Sequence, residues 1–137
     1  MPATYLLDTN IISQLMKDGL APSANRCRDR LLKEPDCKLL TSVVVQCELM
    51  FGLCRYPSQR LQRAYELQLE NLSVMPLDDS ICSHYANLRT HLELAGTPMG
   101  ANDTLIAAHA LVLDATLVSA DAAFARVPGL RLENWLD

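Results

Sequence analysis

Apolar residues along this chain fall into short continuous runs and longer stretches at helical spacing, and the two kinds alternate. Tyr5, Leu6 and Leu7 form the first run, and Ile11, Ile12, Leu15 and Met16 follow at once with the period of an amphipathic helix. A strand at 4–7 is therefore predicted to feed a helix at 10–17, stopped by Asp18-Gly19. Pro22-Ser23 opens a second helix that reaches about residue 33 before Pro35. Lys38-Leu39-Leu40-Thr41 reads as a second strand, with Ser42 as N-cap of a helix starting at Val43. On that helix Val44, Cys47, Phe51 and Cys54 recur as the predicted inner face, with Glu48 among them.

Pro57-Ser58 breaks this helix and begins another over 59–72. Ser73-Val74-Met75-Pro76 is a third strand, and Asp78-Asp79 cap a helix over 80–95. Ile81, Tyr85, Leu88 and Leu92 mark the inner side of that helix, and Gly96 ends it. After a loop at 97–100, Asn102 is the predicted N-cap of a helix that is apolar nearly all round and ends at Asp114. Residues 115–119 read as a fourth strand running into Asp121, and Leu130-Arg131-Leu132 as a last edge strand. His84 and His91 read as surface or satisfied core residues, and His109 as core packing.

Strands alternating with helices predict one α/β domain over 1–137, a three-layer α/β/α sandwich whose central, mainly parallel sheet has four to five strands. The alternation also places acidic residues at equivalent junctions. Asp8 and Asp121 follow strands, Asp103 sits in the first turn of a helix, and Glu48 projects from a helix that follows a strand. In open α/β sheets the carboxyl ends of the strands form the ligand crevice. Asp8, Thr9 and Asn10 are also favoured helix caps, so the first junction alone admits both readings. A glutamate on an apolar helix face is unfavourable unless paired, and Gly52 one turn on removes a side chain, so Glu48 either lines a cavity or points to water at its rim. Ser119, two residues before Asp121, adds a hydroxyl suited to a carboxylate or a metal-bound water. Two carboxylates 4–6 Å apart repel by roughly 3–4 kcal/mol at an effective dielectric near 20. Four ionised together call for a cation, and hard oxygen donors favour Mg²⁺ or Mn²⁺ over zinc.

Composition narrows the partners. The net charge of −4 and pI of about 5.3 supply no global attraction to nucleic acid or anionic lipid, so any such contact needs a local patch or a bound metal. Arg26, Arg28, Arg30 and Lys33 on one helix read as a solvated face, and Arg55, Arg60 and Arg63 cluster around the next break. The five cysteines are odd in number and lack a C-x-x-C pair, which predicts free thiols, mostly small core residues, in a reducing cytoplasm. Polar residues interrupt every apolar run, so no signal peptide or membrane span is expected.

Four stretches carry a resemblance: Leu6-Leu7-Asp8-Thr9-Asn10, Cys47 to Gly52 around Glu48, Asn102 to Ala110 around Asp103, and Ser119-Ala120-Asp121-Ala122-Ala123-Phe124. In order and spacing they resemble the motifs of PIN-domain nucleases, and the chain is similar throughout to the VapC toxins of bacterial toxin–antitoxin pairs, including its closing residues 129–135. Ala120 departs from the asparagine often found there. The resemblance implies a PIN-like fold and an Mg²⁺- or Mn²⁺-dependent endoribonuclease. Such enzymes cut structured RNA, often transfer RNA, leaving a 5′-phosphate and a 3′-hydroxyl, and a VapB-like antitoxin neutralises them. It implies a homodimer, with or without a higher assembly on the antitoxin. Asp8 and Asp103 are the expected direct metal ligands, Glu48 and Asp121 ligands or water-positioning groups, and Thr9, Asn10 and Ser119 supporting hydrogen-bonders.

Two other readings stand beside this one. Haloacid-dehalogenase-type phosphatases also start with a strand-end aspartate, but they use a second aspartate where this chain has Asn10. A non-catalytic module holding a partner's arginine in an acidic pocket is the third. For RNA, Arg60 and Arg63 are the candidate contacts. Leu61, Tyr65 and Leu69 at near-helical spacing are expected either to line a groove for an antitoxin helix or to pack the core.

Overall fold

Tyr5, Leu6 and Leu7 are all buried, as a strand covered on both faces requires. They form β1 (Thr4–Leu7), the central strand of the sheet. The computed structural model describes residues 2–18 and 22–136. After β1 come α1 (Thr9–Lys17), α2 (Pro22–Lys33), β2 (Lys38–Ser42), α3 (Val43–Arg55), α4 (Gln59–Glu70) and β3 (Ser73–Met75). They are followed by α5 (Ile81–Leu94), α6 (Ala101–Val112), β4 (Thr116–Val118), a 3₁₀ turn (Ala122–Arg126) and β5 (Leu132–Glu133). Gly19, half of the predicted stop after α1, lies outside the described residues; the helix ends there on Asp18, whose N–H bonds to the Gln14 carbonyl.

The strand order is β3-β2-β1-β4-β5 and every neighbouring pair is parallel. The chain therefore steps outward from β1 to β2 to β3, then returns past β1 to β4. Right-handed crossovers place α1 to α4 on one face and α5 with α6 on the other, which is the expected three-layer sandwich. The reversal lies between β1 and β2 on one side and β1 and β4 on the other, so a crevice opens at the carboxyl end of β1. Leu7 stands opposite both Thr41 and Val118, which brings Asp8, Ser42 and Ser119 level at that edge.

Several elements depart from the sequence pattern. The inner face of α3 is Val44, Val45 and Leu49, whereas Cys47 and Cys54 are exposed and Phe51 is 69% exposed. The apolar class of Cys and Phe drew the predicted stripe towards the outer side, but the side that meets the sheet and α1 is the one that also carries Glu48. Cys82 is exposed as well, so only Cys27 and Cys37 are partly buried, and all five thiols are free. Tyr65 is buried and accepts from Gln46 Nε2 at 3.1 Å, while Leu61 and Leu69 pack against the core, so this row is core-facing rather than an open groove. Gly100, not Asn102, caps α6: its carbonyl accepts from Thr104 N–H at 2.9 Å and Thr104 Oγ1 at 2.8 Å, so the helix starts earlier. β5 starts two residues later than the apolar pair Leu130 and Leu132 suggests and ends one later. Among the described residues no helix is long and apolar enough to cross a membrane.

Ser42 ties three elements together. Its Oγ accepts from Val44 N–H at 3.1 Å, capping α3, and bonds His109 Nδ1 of α6 at 2.8 Å. Burial lowers the His109 pKa, consistent with a neutral ring at this junction. Replacing Ser42 by Ala removes the cap and leaves a buried ring nitrogen unpaired, so stability should fall by about 2 kcal/mol. Urea unfolding should show a lower midpoint at unchanged slope; an unmoved midpoint would refute the role given to Ser42.

Candidate active site

Asp8 is only 4% exposed although it carries a carboxylate. It ends β1 and caps α1, with Oδ1 accepting from Thr9 N–H at 2.8 Å. The cap reading of this aspartate is thus borne out, and the cap lies at the crevice where the site reading places it. Its other oxygen, Oδ2, accepts from Ser119 Oγ at 2.7 Å and, more weakly, from Asn10 Nδ2 at 3.4 Å. Ser119 in turn accepts from Asp121 N–H at 3.0 Å and from Asn10 Nδ2 at 3.2 Å. Asn10 closes the loop by accepting from Ala120 N–H at 3.1 Å. The main-chain amide at 120 makes this bond, so an alanine there leaves it intact.

Glu48 reaches the same place from α3. Its Oε1 accepts from Thr9 Oγ1 at 2.7 Å, which fixes the glutamate beside the Asp8 cap. Asp103 lies in the first turn of α6, partly buried, where the helix N-terminus favours a negative charge. Asp121 is exposed at the rim and caps the 3₁₀ turn through Ala123 N–H at 2.9 Å.

The electrostatics join all four. Burial raises the Asp8 pKa above the ordinary carboxylate value; the Ser119 and Thr9 hydrogen bonds oppose this, and the charges of Glu48 and Asp121 add to it. Burial likewise raises Asp103, reinforced by Asp8 and Asp121. Among the described residues no lysine, arginine or histidine pairs with any of the four; the ion pairs are Arg30 with Glu34 and Glu133, Arg89 with Glu93, and Arg131 with Asp114. The donors on offer are carboxylate, hydroxyl and amide oxygens, which suit a hard divalent cation. The four carboxylates feel one another but do not close into a single ligand cage: among the described residues, no three His, Cys, Asp or Glu side chains stand close enough to hold one ion.

Not every predicted site residue arrives here. Arg60 donates from Nη2 to the Lys17 carbonyl at 3.2 Å, at the far end of α1 from Asp8. Arg63 is exposed and lines a separate shallow cleft with Pro57, Gln62 and Glu66. Arg30, read as part of a solvated face, is instead half-buried among Tyr5, Glu34, Glu133 and Trp135. The sequence signal for that role was the closing Glu133-Asn134-Trp135, an acid and an aromatic at the end of an edge strand.

The chain matches the family model of the PIN domain over residues 5–130. It is 36% identical over 135 residues to Ribonuclease VapC1 of Haemophilus influenzae, covering 96% of this chain and 97% of the relative. It is 27% identical over 133 residues to the tRNA(fMet)-specific endonuclease VapC of Salmonella typhimurium, covering 96% and 97%. The crystal structure of VapBC2 from Rickettsia felis bound to a DNA fragment from their promoter superposes with a TM-score of 0.88 at 31% identity, covering 96% of this chain and 98% of the other. Domain match, full-length identity and superposition agree: the chain belongs to the PIN domain family and, within it, to the VapC-type ribonucleases.

Proposed function

We propose that this chain is a divalent-metal-dependent endoribonuclease that cuts RNA of the transfer RNA class by hydrolysis at Asp8, Glu48, Asp103 and Asp121. The carrying observation is that Asp8, buried at the end of the central strand, is surrounded by like charges and pairs with no cation among the described residues. Asp8 and Asp103 would hold the ion directly, with Glu48 and Asp121 as further ligands or as groups that position water. When bound, a divalent cation lowers the pKa of a coordinated water and offsets charge gathering on the scissile phosphate.

The chain's own residues do the rest. Thr9 N–H, Ser119 Oγ and Asn10 Nδ2 fix both oxygens of Asp8, so the carboxylate need not reorganise during reaction. Thr9 Oγ1 holds Glu48 in place, and Asp121 stands exposed at the rim, open to solvent. Asn10 is engaged with Asp8, Ser119 and Ala120 at once, which suits an orienting amide and not the acid a phosphatase would need there. The endonuclease name of the Salmonella relative supports transfer RNA as substrate, and the VapBC2 structure supports a VapB-like antitoxin as partner. We assign a homodimer as well; exposed Met50 and Phe51 on α3, with Tyr56 at its C-cap, offer an apolar surface of the kind such contacts cover.

Three outcomes test this reading. Chelation with EDTA should abolish cleavage, Mg²⁺ or Mn²⁺ should restore it, and either ion should raise the melting temperature of the purified chain, since it binds the folded state. Full activity after exhaustive chelation would rule the mechanism out.

Asp8→Asn and Asp103→Asn should each lower cleavage by roughly 100-fold or more, the scale of losing one preorganised charged group. Both groups titrate above their ordinary value of 3.8 when folded, so the folded state holds extra protons and their contribution to stability falls as pH rises from 3.8 through the raised values. Above the raised values the penalty is complete, so there either variant should be as stable as wild type or more stable without metal. A variant cleaving at the wild-type rate would leave the ligand set.

Removing Arg60 and Arg63 together should weaken RNA binding and flatten its salt dependence by about 0.7 per lost single-strand phosphate contact, with metal binding unchanged. An unaltered salt slope would make α4 a solvated face.

A further inference from the structure

Away from the carboxylates, a side-chain network joins α2, β1, β5 and Trp135 beyond it. Arg30 donates from Nη1 to the Tyr5 hydroxyl at 2.8 Å and to Glu34 Oε2 at 3.2 Å, and from Nη2 to Glu133 Oε1 at 2.7 Å. The Tyr5 hydroxyl donates to Glu34 Oε2 at 2.7 Å, and Trp135 Nε1 to Glu133 Oε1 at 3.0 Å. The guanidinium also lies 5.2 Å from the Tyr5 ring centre and 5.8 Å from that of Trp135.

As an ion pair alone this would contribute little, because the Arg30 and Glu133 side chains are 32% and 33% exposed. Its position gives it weight. Glu133 lies in register with Val118, and its carbonyl accepts from Ser119 N–H at 2.9 Å. β5 is only two residues long and lies on the sheet edge, so backbone pairing by itself holds it weakly. Ser119 Oγ donates to Asp8 Oδ2 and also accepts from Asp121 N–H and Asn10. A small shift of β5 along β4 therefore displaces the residue on which both acids depend.

We propose that Arg30 is a positioning residue for the candidate active site, acting through Glu133 and Ser119 on Asp8 and Asp121. The inference rests on the nuclease reading above. The rigid guanidinium fork grips acceptors from three segments at once, which the single ammonium of lysine does not reproduce. Glutamine at 133 keeps the Oε1 acceptor used by both Arg30 and Trp135.

The test uses the full chain, with RNA cleavage kinetics and amide hydrogen exchange on Arg30→Ala, Arg30→Lys, Glu133→Gln, Ser119→Ala and the Arg30→Ala/Ser119→Ala double variant. Arg30→Ala and Arg30→Lys should lower kcat by about tenfold, the scale of a sub-ångström misplacement, with KM within about twofold. Glu133→Gln should stay within about twofold of wild type, and the double variant within about twofold of Ser119→Ala, since one effect runs through the other. The Ser119 amide should exchange faster in Arg30→Ala while α5 amides keep their protection. Multiplying losses in the double variant, or an unchanged Ser119 amide, would overturn the proposal. If Arg30→Ala fails to fold, Arg30→Lys and its double variant with Ser119→Ala give the same comparisons. A wild-type chain that cuts no RNA would defeat the nuclease reading, and Ser119 exchange would still decide the positioning.

Discussion

The hydrogen bond from Ser119 Oγ to Asp8 Oδ2 satisfies the buried acid on which the carboxyl edge depends, and Asn10 joins the same two sides through Ser119 and Ala120. A carboxylate as buried as Asp8 is unfavourable unless its oxygens are satisfied, and the sheet solves this with residues 111 positions apart in the chain. Parallel register between β1 and β4 sets Leu7 against Val118, so the next residues meet across the crevice. Thr9 N–H takes the remaining oxygen, which makes the helix cap and the site one feature. The arrangement is strained electrostatically, because burial and like-charged neighbours both push Asp8 towards protonation. Strain of that kind, kept in place by surrounding packing, marks functional sites more often than structural ones.

The fold supports this with little besides topology. β1 is flanked on both sides by parallel strands, and the chain reverses direction across it, so a single crevice receives elements from α1, α3, α6 and the turn after β4. None of the four acids is neighbour to another in sequence; each enters on a different element. That separation lets the burial of Asp8, the helix-end position of Asp103 and the rim position of Asp121 be set independently.

Much of this was legible in the sequence because it is local. Leu6 and Leu7 running into Asp8, Ser42 before an apolar helix, and Pro57-Ser58 as a break are all read from neighbours, and all fall where expected. Errors arose where tertiary context decides. Cys47, Phe51 and Cys54 looked like an inner face, yet a helix buries whichever side the sheet presents, and here that side is Val45 and Leu49 with Glu48 beside them. Asn102 is a good cap by type, but the Gly100 carbonyl starts the helix first. Arg30 looked solvated because its partners, Tyr5 and Glu133, lie 25 and 103 residues away. The acids of the candidate site and the hydrogen-bonders Thr9, Asn10 and Ser119 were visible by type and junction; which atoms pair across the crevice was not, since Thr9 with Glu48 and Ser119 with Asp8 join residues 39 and 111 positions apart.

The claim at the centre is that Asp8 and Asp103 hold a divalent ion. Crystals of the chain grown or soaked with Mn²⁺ and measured for anomalous scattering address it directly. The account predicts an anomalous peak roughly 2 Å from carboxylate oxygens of Asp8 and Asp103, the distance of a hard-cation ligand. A peak that ignores those two residues, or none at saturating Mn²⁺, would contradict it.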